Sequence, residues 1–129
     1  MIASDGVATT PFLLLTRFAE PEGSADFEAG LRGVAELLGT QPGCVSAAVG
    51  RAADDVTSWV LTAQWESVGD YRRAMSSYDV KVAATAVLSA AVDEPTVFEL
   101  LYSRVGESVV ESKSALSDAP RGWTDQPSR

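Results

Sequence analysis

The first apolar segments of the chain predict a strand followed by a helix. Residues 12–18 form a short apolar run that ends at the turn-forming sequence of residues 20–23, which favours a strand. Between Ser24 and Gly39 the apolar residues follow the spacing of one helix face, namely Phe27, Leu31, Val34 and Leu38. Ser24 is the expected N-cap of this helix, and Gly39 its expected end.

Two more strands, a second helix and a final strand follow. Residues 44–51 and 58–65 have the small, β-branched and aromatic content of strands, and the acidic pair Asp54-Asp55 lies in their connection. Ser67 and Asp70 form a start like a capping box for a second helix, which can break within residues 76–79 before it ends near Pro95. Residues 96–102 predict the fourth strand.

The order β-α-β-β-α-β predicts an α+β fold of the ferredoxin-like kind, with one four-stranded antiparallel sheet and both helices on one face. The other face would carry an apolar set, namely Leu13, Leu15, Val45, Val49, Val60, Val97 and Leu101. Because a single domain of this length has nothing left to cover that face, we expect a homodimer that joins sheet face to sheet face.

The pattern also suggests how the chain is divided. Residues 11–102 are expected to form the domain, and residues 1–10 a loose leader. In residues 103–129 the periodicity fades, and serine, proline, glycine and mixed charges dominate. This tail is expected to be disordered, or ordered only against a partner.

Composition narrows the classes of function. The 129 residues carry a formal net charge of −8, which argues against nucleic acid or an anionic membrane as the main partner. The chain has no histidine, which excludes Ser-His-Asp and Cys-His catalysis, His-ligated zinc and a haem held by a proximal histidine. Cys44 is the single cysteine, and neither a secretory signal nor an apolar stretch near the roughly 20 residues of a membrane span is evident. We therefore expect a cytoplasmic protein.

Three segments of the chain carry a resemblance to a known family. They are LLLTRFAEPEGSADFEAGL, QPGCVSAAV and, above all, WVLTAQWES followed directly by the helix that begins VGDYRRAM. Residues 12–101 thereby resemble the antibiotic biosynthesis monooxygenase superfamily of dimeric α/β-barrel proteins. Some members oxidise polycyclic aromatic molecules with O₂ and no cofactor, others bind and break haem, and others have no known activity. The resemblance implies a pocket between the sheet and the helices.

The resemblance also implies two catalytic residues. Cofactor-free members use a tryptophan at the end of the third strand and a tyrosine six residues later, and Trp65 and Tyr71 match both. Those members also use an asparagine four residues before the tryptophan, where this chain departs with Leu61. Trp65 would position an aromatic substrate, and Tyr71 would donate a hydrogen bond to its developing oxyanion.

The haem-degrading members fit less well. They carry an asparagine on the first strand and a histidine nine or ten residues after the tryptophan, where this chain has Thr16 and then Ala74 and Met75. No haem and no other cofactor is therefore expected. Thr16 is polar on an apolar strand face, and Tyr78 lies near the predicted helix break, where a pocket mouth could form. Thr16, Leu61, Met75 and Tyr78 are the predicted substrate-binding residues.

The leading hypothesis is a cofactor-independent monooxygenase that oxidises an electron-rich, polyketide-like aromatic molecule with O₂. The adjacent Arg72 and Arg73 are interpreted as solvated, Cys44 as a buried strand residue, and the acidic pairs as loop residues rather than metal ligands. Two alternatives stay open. One is a non-catalytic dimeric module that binds a small molecule in the same pocket, and the other is an interaction protein that acts through its C-terminal tail.

Overall fold

The computed structural model describes residues 10–20 and 25–115 of the chain. Residues 1–9 of the predicted leader, the predicted N-cap Ser24 and residues 116–129 of the predicted tail lie outside this part. The elements are β1 (Phe12–Ala19), α1 (Ala25–Gly39), β2 (Cys44–Ala52), β3 (Asp55–Trp65), α2 (Val68–Met75), α3 (Tyr78–Leu88), β4 (Val97–Glu99), β5 (Tyr102–Val105) and β6 (Ser108–Glu111). None of the helices in the described ranges is long and apolar enough to cross a membrane.

The first four strands form one antiparallel sheet in the order β2-β3-β1-β4. β1 and β3 pair along the whole of β1, from Phe12 opposite Trp65 to Ala19 opposite Ser58. The helices pack on one face of this sheet around a single apolar core. The predicted ferredoxin-like α+β fold is therefore confirmed.

The core lies between α1 and alternate residues of β3. The predicted apolar face of α1 is confirmed, because its buried residues are Phe27, Leu31, Val34 and Leu38. The facing residues of β3 are Trp59, Leu61, Ala63 and Trp65, each at most 4% exposed. Their spacing of two places all four on the same side of the strand.

The second predicted helix is two helices separated at Ser76 and Ser77. Ser67 caps α2 by accepting a hydrogen bond from the backbone amide of Asp70, and Ser77 caps α3 by accepting one from Val80. A serine hydroxyl satisfies a backbone N–H that has no partner within the helix, so Ser77 favours a new helix start at this point. The break that the sequence allowed is therefore present.

β2 departs from strict alternation near its start. Its register with β3 shifts between Cys44 and Ser46, as expected for a bulge that adds one residue to one strand. Val49 lies opposite Leu61 and packs against the core. The prediction that Val49 belongs to the outer face of the sheet was wrong, because the bulge reverses the alternation after Cys44.

β4 is shorter than predicted and presents a different residue to the outer face. It pairs with β1 only at Val97–Glu99, with Val97 opposite Leu14 and Phe98 opposite Leu13. Val97 therefore packs against the core, and Phe98, 41% exposed, replaces it on the outer face. Leu101 lies beyond the end of β4 and is not part of this sheet.

The residues after β4 also differ from the expected tail. β5 and β6 form a two-stranded antiparallel hairpin, with Gly106 at its turn at a φ of 59°. The chain then returns to β4, because the hydroxyl of Ser114 and the backbone amide of Ala115 both donate to the Glu99 carboxylate. The domain boundary predicted after residue 102 therefore falls inside a hairpin.

Candidate active site

A cavity of about 220 Å³ lies between the helix-facing side of the sheet and the three helices. β1 and β3 supply its floor, and α1, α2 and α3 supply its walls. Among its described lining residues none is charged, and three carry a hydroxyl group. The lining comprises Leu14, Thr16, Phe18, Val34, Leu38, Leu61, Tyr71, Met75, Val80, Ala84, Val87, Leu88, Ala91 and Thr96.

Tyr71 brings a phenol to this apolar space from the first turn of α2. Its backbone amide donates to the Ser67 carbonyl at 3.2 Å, so the capped start of the helix fixes its position. Burial raises the pKa of the Tyr71 phenol. The hydroxyl is therefore protonated at neutral pH and can donate a hydrogen bond to a ligand.

The start of α2 is held by the turn before β2. Gly43 in this turn has a φ of 87°, and its carbonyl accepts a hydrogen bond from the Glu66 amide at 2.9 Å. The Asp70 side chain occupies the space in which a β-carbon at position 43 would lie. Glycine is therefore required here both by the backbone conformation and by the close approach of Asp70.

Trp65 lies behind Tyr71 rather than in the cavity lining. Its side chain is 0% exposed and meets the Tyr71 ring edge to face, with ring centroids 6.1 Å apart. The buried Trp65 Nε1 has no hydrogen-bond partner among the described residues. The structure thus brings Trp65 and Tyr71 together, as expected. Trp65, however, packs against Tyr71 and does not line the cavity, whereas the sequence suggested that it contacts the substrate.

Thr16 and Leu61 form a pair on the floor of the cavity. They are directly opposite each other on β1 and β3, and both line the cavity. Within the described residues the Thr16 hydroxyl makes no hydrogen bond. A polar group at the floor of an apolar cavity is thus left for a ligand or for water.

The two remaining predicted substrate-binding residues, Met75 and Tyr78, lie on either side of the helix break. Met75, at the end of α2, lines the cavity. Tyr78, at the start of α3, is 78% exposed and does not line it. Two residues turn a helix by about 200°, so Tyr78 points away from the side on which Val80 is buried. The predicted place of Tyr78 at a pocket mouth is therefore not found.

The contribution of α3 to the cavity was not predicted from the sequence. The lining residues are Val80, Ala84, Val87 and Leu88, which have the spacing of one helix face. A continuous helix would instead align Val82, Ala86 and Ser89 with Tyr71, and all three are exposed. The apolar spacing within α3 predicts this lining face only when the helix is taken to begin anew at Ser77.

The chain that forms this cavity matches a known protein family. Residues 12–86 match the family model described as antibiotic biosynthesis monooxygenase. The match covers more than half of the chain, and the protein belongs to this family. Among curated proteins the chain has no significant match.

Solved structures agree with this assignment. A mutant of SnoaB, a cofactor-independent oxygenase from Streptomyces nogalater, is 26% identical with a TM-score of 0.65, and the match covers 71% of this chain and 94% of SnoaB. Rv0793 from Mycobacterium tuberculosis is 18% identical with a TM-score of 0.61, and the match covers 75% of this chain and 99% of that one. A Nitrosomonas europaea protein shares the fold at 17% identity and a TM-score of 0.62, over 74% of this chain and 95% of its own. Family membership and the similarity to SnoaB support monooxygenase activity in general.

Proposed function

We propose that the protein is a cofactor-independent monooxygenase that oxidises an electron-rich, polyketide-like aromatic molecule with O₂. The observation that carries the proposal is an apolar cavity with a half-buried, protonated phenol, that of Tyr71, in a member of this family. SnoaB, to which the chain is similar, is a cofactor-independent oxygenase. In such a reaction the aromatic substrate itself supplies the electrons that reduce O₂.

The reaction balances without a further reductant when a phenol becomes a quinone. One atom of O₂ enters the ring carbon opposite the phenol oxygen. The other atom leaves as water with the two hydrogens that the substrate loses. The protein then has to bind the phenol, stabilise its ionised form and keep the reacting carbon away from bulk water.

Each residue at the site has a proposed part in this chemistry. Tyr71 donates to the substrate oxygen as negative charge develops on it, where an apolar surrounding strengthens the hydrogen bond. Thr16 offers a second hydroxyl, and Leu61 and Met75 pack against the ring. Trp65 is a positioning residue that holds the Tyr71 ring. The substrate proton passes to solvent, which suits a phenol that ionises readily.

The proposal is tested by O₂ uptake with a panel of phenols and anthrones, corrected for autoxidation. We expect uptake above background for at least one of them, with one quinone formed per O₂ consumed. A ligand that binds in the cavity, without uptake for any compound of the panel, would favour the alternative of a non-catalytic binding module. Loss of a protein partner on truncation after Tyr102, with an empty cavity, would instead favour the interaction protein.

We further propose a homodimer through the outer face of the sheet. The paired outer-face residues are apolar or uncharged apart from Arg17, and include Leu13, Leu15, Val60, Thr62, Gln64 and Phe98. Arg17 lies on this face opposite Val60, and its charge is paired with that of Glu94 at 2.8 Å. A face with one charge that is neutralised by an ion pair is where two chains of net charge −8 can meet with little repulsion.

Replacing Leu13 with aspartate is expected to break this dimer. Leu13 lies on the central strand β1 between the uncharged Gln64 and Phe98, so the variant would bury an unpaired carboxylate in the interface. The dimer dissociation constant should rise by about 100-fold or more. Light scattering after size exclusion measures it, and Val82→Asp on the exposed side of α3 is the control. A wild-type protein that is monomeric at micromolar concentration would refute the dimer.

A further inference from the structure

The size of the cavity, which opens to solvent beside the exposed Leu88, limits the part of a substrate that can be enclosed. Its volume is about 220 Å³. An engineered protein cavity of about 150 Å³ holds benzene, and pockets for drug-sized ligands span about 300–1,000 Å³. Scaled by carbon number from benzene, two fused rings need roughly 250 Å³ and three need roughly 350 Å³. The cavity is close to the first volume and well below the second.

We propose that the cavity selects an uncharged phenol of two fused aromatic rings and that Leu61 sets this limit. The inference rests on the proposed function in taking the bound molecule to be the substrate. Among the described lining residues none is charged, so a carboxylate or sulfate on the ligand would be buried without a partner. The hydroxyls of Thr16 and Tyr71 come from opposite layers, the sheet and α2, and suit a flat ligand with polar oxygen atoms between them.

Leu61 is the fixed part of the boundary. It is 4% exposed on β3, and strands pair with it on both sides, with Thr16 across on β1 and Val49 across on β2. A central strand held by two ladders cannot retreat from a larger ligand. The helix side is more adaptable, because Met75 is a flexible side chain and Leu88 is 58% exposed. The depth of the cavity is thus set by the side chain at position 61.

The test is a binding series of phenol, 1-naphthol and 1-anthrol, which differ by one fused ring each, measured by calorimetry without oxygen. Hydrophobic burial alone would strengthen binding at every added ring. We expect affinity to rise from phenol to 1-naphthol and then to fall by about tenfold or more for 1-anthrol, as pockets do for groups that overfill them. If 1-anthrol binds the wild-type protein more tightly than 1-naphthol, the proposed limit is wrong.

Variants of Leu61 test its part separately. Leu61→Ala should bring the affinity for 1-anthrol to within about threefold of that for 1-naphthol, and Leu61→Val should move it part of the way. The milder variant serves if the alanine variant fails to fold. Leu31→Ala is the matched control, because Leu31 is an equally buried leucine that does not line the cavity. A shift of the same size in Leu31→Ala would contradict a specific role for Leu61.

The size limit and the oxygenase proposal fail in different ways. Binding that follows the expected series without O₂ uptake for 1-naphthol or any other phenol leaves the size limit intact and refutes the oxygenase. O₂ uptake that is faster with 1-anthrol than with 1-naphthol supports the oxygenase and refutes the size limit. Uptake that peaks at two rings in the wild type, and at three in Leu61→Ala, supports both.

Discussion

Replacing Tyr71 with phenylalanine is expected to lower the kcat for aromatic oxidation by about 10²-fold, the usual effect of removing one preorganised donor to an oxyanion. The variant keeps the ring that packs against Trp65 and loses only the hydroxyl. Because the hydrogen bond strengthens as charge develops on the substrate, kcat should fall more than KM rises. O₂ uptake at several substrate concentrations separates the two constants.

The control for this variant is Tyr78→Phe. Tyr78 is also a helical tyrosine, but it is 78% exposed and lies outside the cavity lining. Its variant should keep the wild-type kcat. Thermal unfolding of both variants shows whether either change acts through stability. A Tyr71→Phe protein that is folded and fully active would remove Tyr71 from the mechanism.

Replacing Trp65 with alanine is expected to lower the free energy of unfolding by about 3–5 kcal/mol, because a large side chain with no exposed surface leaves a cavity. Activity should fall with it, since the Tyr71 ring loses the surface on which it rests. Trp65→Phe should behave differently. It keeps an aromatic ring and removes an N–H that has no partner among the described residues, so most activity should remain.

Urea unfolding and O₂ uptake on both Trp65 variants separate packing from direct contact with substrate. Trp59→Phe is the matched control, because Trp59 is also buried with an unpartnered Nε1 and does not line the cavity. If Trp65→Phe is as stable as the Trp59 variant but inactive, the indole N–H acts on the substrate. The positioning role proposed for Trp65 would then be wrong.

The parts of the fold that follow from local periodicity were predictable. The spacing of Phe27, Leu31 and Val34 marks a helix face, and alternation places Trp59 and Leu61 on one side of a strand. Both patterns depend only on backbone geometry. They place the two layers, and with them the space between sheet and helices in which the cavity lies.

The errors arise where a single local event changes the phase of a pattern. The bulge after Cys44 turned Val49 inward, and the cap at Ser77 reset the phase of α3. The alternation in β2 looks regular on either side of the bulge, so the pattern does not mark it, and the helix break was located only to within residues 76–79. The position of a bulge depends on the packing of the whole sheet, and the sequence of one strand does not determine that packing.

The candidate site was predicted in part for the same reasons. Thr16 and Leu61 were assigned to the correct strand face, and the family resemblance singled out Tyr71. Trp65 lies behind Tyr71 because of the angle between β3 and α2. The spacing of residues along the chain does not determine this angle. The cavity walls from α3 required the new helix phase. Periodicity thus finds which side of an element faces the site, while depth within the site needs the tertiary structure.

Gly43 shows that the tolerance of this site to substitution does not follow distance from the ligand. Any side chain at position 43 would compete with Asp70 for the same space at the start of α2. The helix would have to move, and Tyr71 would move with it. A change in a turn outside the cavity lining would thereby alter the orientation of the phenol, whereas exchanges among the apolar residues of the cavity wall would leave that orientation alone. Natural variants of this domain should therefore be constrained at a residue that contributes no atom to the cavity.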